Sequence, residues 1–223
     1  MQVDAHAHQK SNSTQILVGV HTLGVHPWEL SLPFERHEFD KKWEAITQAD
    51  QVIYAVGECG LDRVHEGIAD IEDQKYALLK HFELAQSKNI PLILHCVRSY
   101  SDVLQILKKI KFTLPVLLHA YGGNDYEMNE LLKYNVFFSY GARLFNTDTR
   151  LKFTPMDRLL LETGDQDQYS IDDIYQKASV SLGIELKKLE GVIFKNFLTF
   201  FNKLDDISAT DFIHDLNTRK TNR

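Results

Sequence analysis

Eight short apolar runs recur along this chain of 223 residues, and longer amphipathic segments fill most of the intervals between them. The runs fall at 2–6, 15–20, 21–25, 51–57, 91–95, 115–119, 136–139 and 159–163. A short apolar run bounded by turn residues suits a strand buried on both faces, the condition of a parallel sheet. At 72–87, Tyr76, Leu79, Phe82 and Ala85 recur near the helical period, with Leu78 beside the same stripe. Segments 102–110, 126–134, 171–182, 185–201 and 209–216 also read as helices, with Ser170 placed to cap the one that starts at 171. Eight strands with helices outside them predict an α/β protein with the (β/α)8 TIM-barrel architecture, near the lower end of that fold's length. The barrel is abbreviated near its N-terminus. Only residues 9–14 separate the first two runs, and the next connection is too tight for a helix, so outer cover is expected to be missing there.

The composition, 43% hydrophobic and 25% charged, suits one well-buried domain over residues 1–223. A net charge of -6 argues against a broadly basic nucleic-acid surface, although a local patch or a bound metal can still hold phosphate. Cys59 and Cys96 lack a Cys-x-x-Cys spacing and read as reduced core thiols. No apolar stretch approaches the roughly 18–20 residues of a membrane span, and the N-terminus is polar where a signal peptide would be apolar. The expected location is therefore the cytoplasm, with no membrane contact and no obligate protein partner.

Polar residues stand where these runs end, and barrel enzymes build their sites at the C-terminal ends of their strands. His6 and His8 follow the first run and project to one face, because alternate strand residues share a side. Glu58 sits between glycines in Gly57-Glu58-Cys59-Gly60, and His95 and His119 close the fifth and sixth runs. A buried carboxylate or imidazole is costly alone, whereas a shared metal site satisfies them together. These five donors exceed the three protein ligands usual for one catalytic zinc. Two divalent ions (Mg, Mn or Zn) suit them better, with Glu58 bridging ions about 3.5–4 Å apart, and metal-assisted hydrolysis is the reaction expected.

The ordered set His6-x-His8, Gly24-Val25-His26-Pro27-Trp28, Gly57-Glu58-Cys59-Gly60-Leu61-Asp62, Leu94-His95-Cys96, Leu118-His119-Ala120-Tyr121-Gly122-Gly123 and Leu160-Leu161-Glu162-Thr163 resembles the TatD family of metal-dependent deoxyribonucleases. Phe194-Lys195-Asn196-Phe197 is similar to that family's closing helix. The resemblance implies a single metal-dependent hydrolase barrel that cleaves DNA or another phosphodiester. It implies one metal on His6 and His8, a second on His95 and His119, and Glu58 bridging them.

One departure stands out. The family pattern has an aspartate directly after Glu-Thr that ligates metal and positions water, but this chain reads Glu162-Thr163-Gly164-Asp165. Asp165 is taken as the substitute, as metal ligand and catalytic base, if a bulge or an early strand end turns it inward; otherwise it is a loop acid. Because Gly164 has no ligand to offer, the ion at His6 and His8 is expected to be the more weakly held. His26, Asp62, Arg98 and Tyr121 are candidate substrate-binding residues. His26 and Arg98 would contact phosphate, Asp62 would bind substrate or orient a ligand, and Tyr121 would stack on a base. Ordinary loop, turn, solvated and packing roles are the alternatives. His37 and His81 are expected to face solvent, and His21, His65 and His214 to have no functional role. Two other functions stay open: a carbonyl hydrolase acting on an amide, lactone or ester, and a weakly active or vestigial member lacking its aspartate.

Overall fold

The computed structural model describes residues 1–48, 51–146 and 150–219. Eight parallel strands follow one another in chain order: β1 (Val3–Ala7), β2 (Thr14–Leu17), β3 (Thr22–Leu23), β4 (Ala55–Asp62), β5 (Leu92–Val97), β6 (Val116–Leu118), β7 (Val136–Tyr140) and β8 (Leu159–Leu161). β3 to β8 form one parallel sheet, and β1 pairs with β2. Gly164, just past β8, bridges Ala7 of β1 and closes that side of the barrel. No ladder joins β2 to β3 among the described residues. Leu92, Ile93, Leu94, Leu117, Leu118, Phe138, Leu159 and Leu160 are completely buried, as expected of strands covered on both faces. The α/β barrel expected from the sequence is the fold observed.

Seven α-helices lie outside the strands among the described residues: α1 (Arg36–Thr47), α2 (Ile71–Lys88), α3 (Tyr100–Ile110), α4 (Asp125–Leu131), α5 (Ile171–Leu182), α6 (Leu186–Phe200) and α7 (Asp206–Thr218). The sequence reading missed α1. Its Phe39 and Trp43 stand one helical turn apart and build a second small core with Val25, Leu30, Ala69 and Ala77. Trp43 also packs on His81, with ring centroids 4.2 Å apart. His81 is therefore buried and not solvent-facing, which corrects the expectation for that residue.

The abbreviated early barrel is covered, contrary to expectation. Six residues connect β1 to β2, enough extended chain for about 20 Å but only about 9 Å of helix. That connection must run back extended, so the cover comes from the other end of the chain. α7 packs on β2 with Phe212 and Leu216 buried, and Asn217 accepts a hydrogen bond from Thr14 Oγ1 at 3.3 Å. Tyr54 Oη donates to Asp215 at 2.5 Å. Asn196 of α6 donates to the carbonyls of Met156 and Leu159 at 2.7 and 2.8 Å, fixing that helix to the start of β8.

β4 begins and ends later than its apolar run, because the Gly-Glu-Cys-Gly segment stays in the ladder with β5. The register shifts between Val56 and Cys59, and Gly60 lies opposite His95. A Cβ on Gly60 would sit 1.9 Å from the His95 carbonyl oxygen, so only glycine lets the strands approach. This bulged segment carries Glu58 among the histidines.

Candidate metal centre

The two oxygens of Glu58 face different sets of imidazoles. On one side, His6 Nε2 and His8 Nε2 each lie 3.1 Å from Oε2. On the other, His26 Nε2, His95 Nδ1 and His119 Nε2 lie 3.0, 3.3 and 2.8 Å from Oε1. His6 and His95 lie in the C-terminal halves of β1 and β5, and His8, His26 and His119 lie just beyond β1, β3 and β6, so all stand toward the C-terminal side of the strands. The groups His6–His8–Glu58 and His26–Glu58–His95 each bring three ligand atoms within 4.8 Å of one another.

Ring tautomers follow from the partners at the far nitrogens. His95 Nε2 lies 3.0 Å from Asp62 Oδ2, and His119 Nδ1 lies 3.3 Å from Glu162 Oε1. Protons at those two positions leave lone pairs on His95 Nδ1 and His119 Nε2, which sit 3.3 Å apart beside Glu58 Oε1. Lone pairs crowded on a carboxylate repel unless a cation lies among them. His6 gives an independent sign of fit: it is completely buried, its Nδ1 has no partner, and its Nε2 faces Glu58 Oε2 at 3.1 Å without making a well-formed hydrogen bond. An orphaned buried imidazole is expensive, and a metal ion would satisfy it. His26 differs, because its Nδ1 accepts the Trp28 N–H at 3.2 Å. Its Nε2 then carries a proton and is a donor, suited to an anionic oxygen and not to a metal.

The protonation balance reflects the crowding. Burial opposes charge on Glu58, but His119 and His6 outweigh it and hold the carboxyl well below its ordinary range. A proton can stand in for that cation: burial would lower His119, yet Glu58 and Glu162 lift it to about 10, so a metal at Nε2 would have to displace the proton held there. Burial lowers His6, whereas the hydrogen bond to Glu58 raises His8.

Two acids behind the histidines escaped the sequence reading. Glu162 is buried on Ala120 N–H (3.0 Å) and on the Ser139 hydroxyl, fixing the orientation it gives His119. Asp4 accepts from Thr163 N–H and Oγ1 at 3.0 and 2.7 Å, tying the end of β8 to β1, while burial pushes its carboxyl up to about 7. Strand alternation puts Asp4 on the face of His6, which is the signal that could have found it.

A cavity of about 750 Å³ opens over the centre. Asp62 lines it but is occupied: Oδ2 accepts from Trp28 Nε1 (2.8 Å) and faces His95, and Oδ1 accepts from Val64 and His65 N–H. Burial would raise its carboxyl, but these donors hold it down at about 2. Its geometry is that of a residue orienting His95. Arg98 is exposed and does not line the cavity; the arginine on the wall is Arg143. Tyr121 is only 2% exposed, its ring packed on Tyr100 and Phe138 and its hydroxyl bound to Asn124 O, so it offers no face for stacking. Besides His8, the exposed aromatic rings on the wall are Trp28 and His65.

Gly164 takes φ +70 and locks into the β1–β8 seam, donating to His6 O at 2.9 Å and accepting from His8 N at 3.0 Å. Asp165 is thereby turned out to the cavity rim. It is exposed, outside both ligand groups, and acts on His8 through its charge. The expectation that it ligates metal is not met in this geometry.

The model of the family described as TatD related DNase matches residues 6–202. The chain is 25% identical over 201 residues to the Escherichia coli K12 protein named uncharacterized metal-dependent hydrolase YcfH, covering 82% of this chain and 74% of that one. It is 30% identical over 149 residues to the 3'-5' ssDNA/RNA exonuclease TatD of Cronobacter turicensis, covering 64% of this chain and 55% of that protein. Among solved structures, the TatD homolog YJJV of Escherichia coli superposes with a TM-score of 0.67 at 21% identity, over 81% of this chain and 76% of that one. A TatD family hydrolase of Entamoeba histolytica gives 0.66 at 22% identity, over 86% and 76%. A family match across nearly the whole barrel, joined to a histidine cluster divided by one carboxylate, places this chain in the TatD family of metal-dependent hydrolases.

Proposed function

We propose that the protein is a two-metal phosphodiesterase acting on DNA, and the observation that carries this reading is the division of Glu58 between two sets of imidazoles. His6 and His8 would hold one divalent ion, His95 and His119 the other, with Glu58 shared. Bound there, such ions would neutralise phosphate charge and lower the pKa of a water. The lining supports that need: Glu58, Asp62, Glu66, Glu162 and Asp165 are acidic, and Arg143 is the one arginine or lysine among the described lining residues. Without cations to offset them, lining groups of that charge would repel a phosphodiester.

The chain's own groups divide the remaining work. Glu58 is committed to its imidazoles and is a poor proton acceptor. Asp165 has no hydrogen bond to its carboxylate among the described residues and is free at the rim to take the proton of the attacking water. His26 Nε2, which faces Glu58 Oε1 at 3.0 Å, would turn its proton to a non-bridging phosphate oxygen once that carboxylate oxygen is taken up by a cation, and Arg143 on the cavity wall adds positive charge. Asp62 and Glu162 keep His95 and His119 in register. The relatives named as 3'-5' single-strand exonucleases favour a free 3' end as the point of attack.

The test is degradation of end-labelled single-stranded DNA by purified protein with Mg or Mn, with and without EDTA, alongside a p-nitrophenyl ester and a lactone. Metal-dependent shortening from the 3' end is expected. Full activity in EDTA overturns the metal mechanism, and ester or lactone turnover without DNA cleavage selects the carbonyl-hydrolase alternative.

A further inference from the structure

Trp28 is 45% exposed, whereas the chain's other tryptophan, Trp43, is buried at 8%. An exposed tryptophan alone is unremarkable, but this one is held in place. It lies in a 3₁₀ turn, Pro27–Glu29, capped reciprocally by His26 and Glu29. Its indole N–H is bonded to Asp62 Oδ2 at 2.8 Å, and its ring meets His26 and His95 edge-on at 4.9 and 5.5 Å. His65 lies nearly parallel to it, with centroids 4.3 Å apart and planes 15° apart. Asp62 accepts the His65 backbone N–H at 3.0 Å, so one carboxylate fixes both aromatic rings and faces His95 as well.

We infer that the Trp28–His65 stack offers its outward face as a shelf on which a nucleobase stacks beside the metal centre, confining the enzyme to unpaired nucleotides; this rests on the nucleic-acid reading above. A base inside a duplex has both faces covered, so only a single strand or a frayed end can present one. The cavity, about 750 Å³, falls within the range of sites built for a single small ligand. The shelf costs little entropy to use, because its rings are already fixed. It also touches His95 directly, so a base on it belongs to a nucleotide whose phosphate lies near the ligand cluster.

The experiment measures equilibrium binding by fluorescence anisotropy, using the full chain in Ca²⁺ and two labelled strands of equal length and charge. One is oligo-dT and the other is abasic throughout. Oligo-dT is expected to bind at least about 10-fold tighter, in line with base–aromatic stacking. Trp28→Leu should abolish that preference and Trp28→Phe should keep most of it. His65→Ala, which removes one stacked ring and leaves the Asp62–indole bond intact, should reduce it. Equal binding of the two strands by the wild type, or an undiminished preference in Trp28→Leu, overturns the shelf and leaves the phosphodiesterase reading standing. Failure to bind either strand overturns the nucleic-acid reading itself, and the shelf with it.

Discussion

Replacing Glu162 by glutamine isolates what a charge behind His119, a proposed metal ligand, contributes. Glu162 Oε1 accepts from Ala120 N–H at 3.0 Å and faces His119 Nδ1 at 3.3 Å, and Oε2 takes the Ser139 hydroxyl proton. A glutamine can keep its carbonyl toward Ala120 and His119 and turn its NH₂ to Ser139, whose hydroxyl oxygen is able to accept. The geometry survives while the charge is lost. That charge is one of the two that lift the buried His119 to about 10, so Nε2 becomes a poorer donor without it. Carboxylates in this position are worth about 10- to 100-fold in metal affinity, or about 1.4–2.7 kcal/mol. Competition with a fluorescent chelator for Zn²⁺ or Mn²⁺ resolves the two binding steps. One step should weaken by that factor, while the step assigned to His6 and His8, which Glu162 reaches only through its charge, changes little. Urea unfolding of the metal-free protein should show a loss below about 1 kcal/mol, whereas Glu162→Ala orphans Ala120 N–H and loses about 1–3 kcal/mol. An unchanged first affinity in a folded variant, or equal weakening of both steps, refutes the assignment of His119 to one ion.

Asp165→Asn should lower turnover of single-stranded DNA by about 10²-fold or more with little change in metal affinity, as measured by steady-state kinetics and the same competition; a variant at full speed moves the base elsewhere. His81 is buried and neutral, donating from Nδ1 to Ala77 O at 2.8 Å and accepting Val25 N–H at 2.9 Å, and burial lowers it from 6.5 to about 4. Its folded-state pKa is depressed, so its contribution is present above pH 6.5 and lost as the pH falls toward 4, about 3 kcal/mol in total. The stability difference between wild type and His81→Gln in urea should shrink by that amount over this window, and a constant difference would contradict it. Phe212→Ala should cost about 3–5 kcal/mol by thermal or urea unfolding, because α7 supplies the cover that β2 lacks; a loss below about 1 kcal/mol would mean that the cover is dispensable.

Much of the centre was legible in the chain. His6, His8, Glu58, His95 and His119 all end or follow apolar runs, and strand periodicity with barrel polarity dictates that such residues converge. Helix α1 was also within reach, since Phe39 and Trp43 are spaced by one turn, but the charged residues around them hid the stripe. His81 was misplaced because a helix has a buried face as well as an exposed one, and sequence position alone does not say which face a histidine occupies.

What the sequence determined by itself was the set of strand-borne histidines with Glu58 and the α/β barrel that gathers them, because both depend on local periodicity that every strand repeats. Only the tertiary structure decided the rest. It made α7 the cover for β2 and paired Glu162 with His119. It seated Asp62 between Trp28 and His95, and it turned Asp165 to the rim. Each of these is a contact between residues far apart in the chain, set by strand register and by backbone geometry such as Gly164 at φ +70, and no local pattern encodes a partner at that distance.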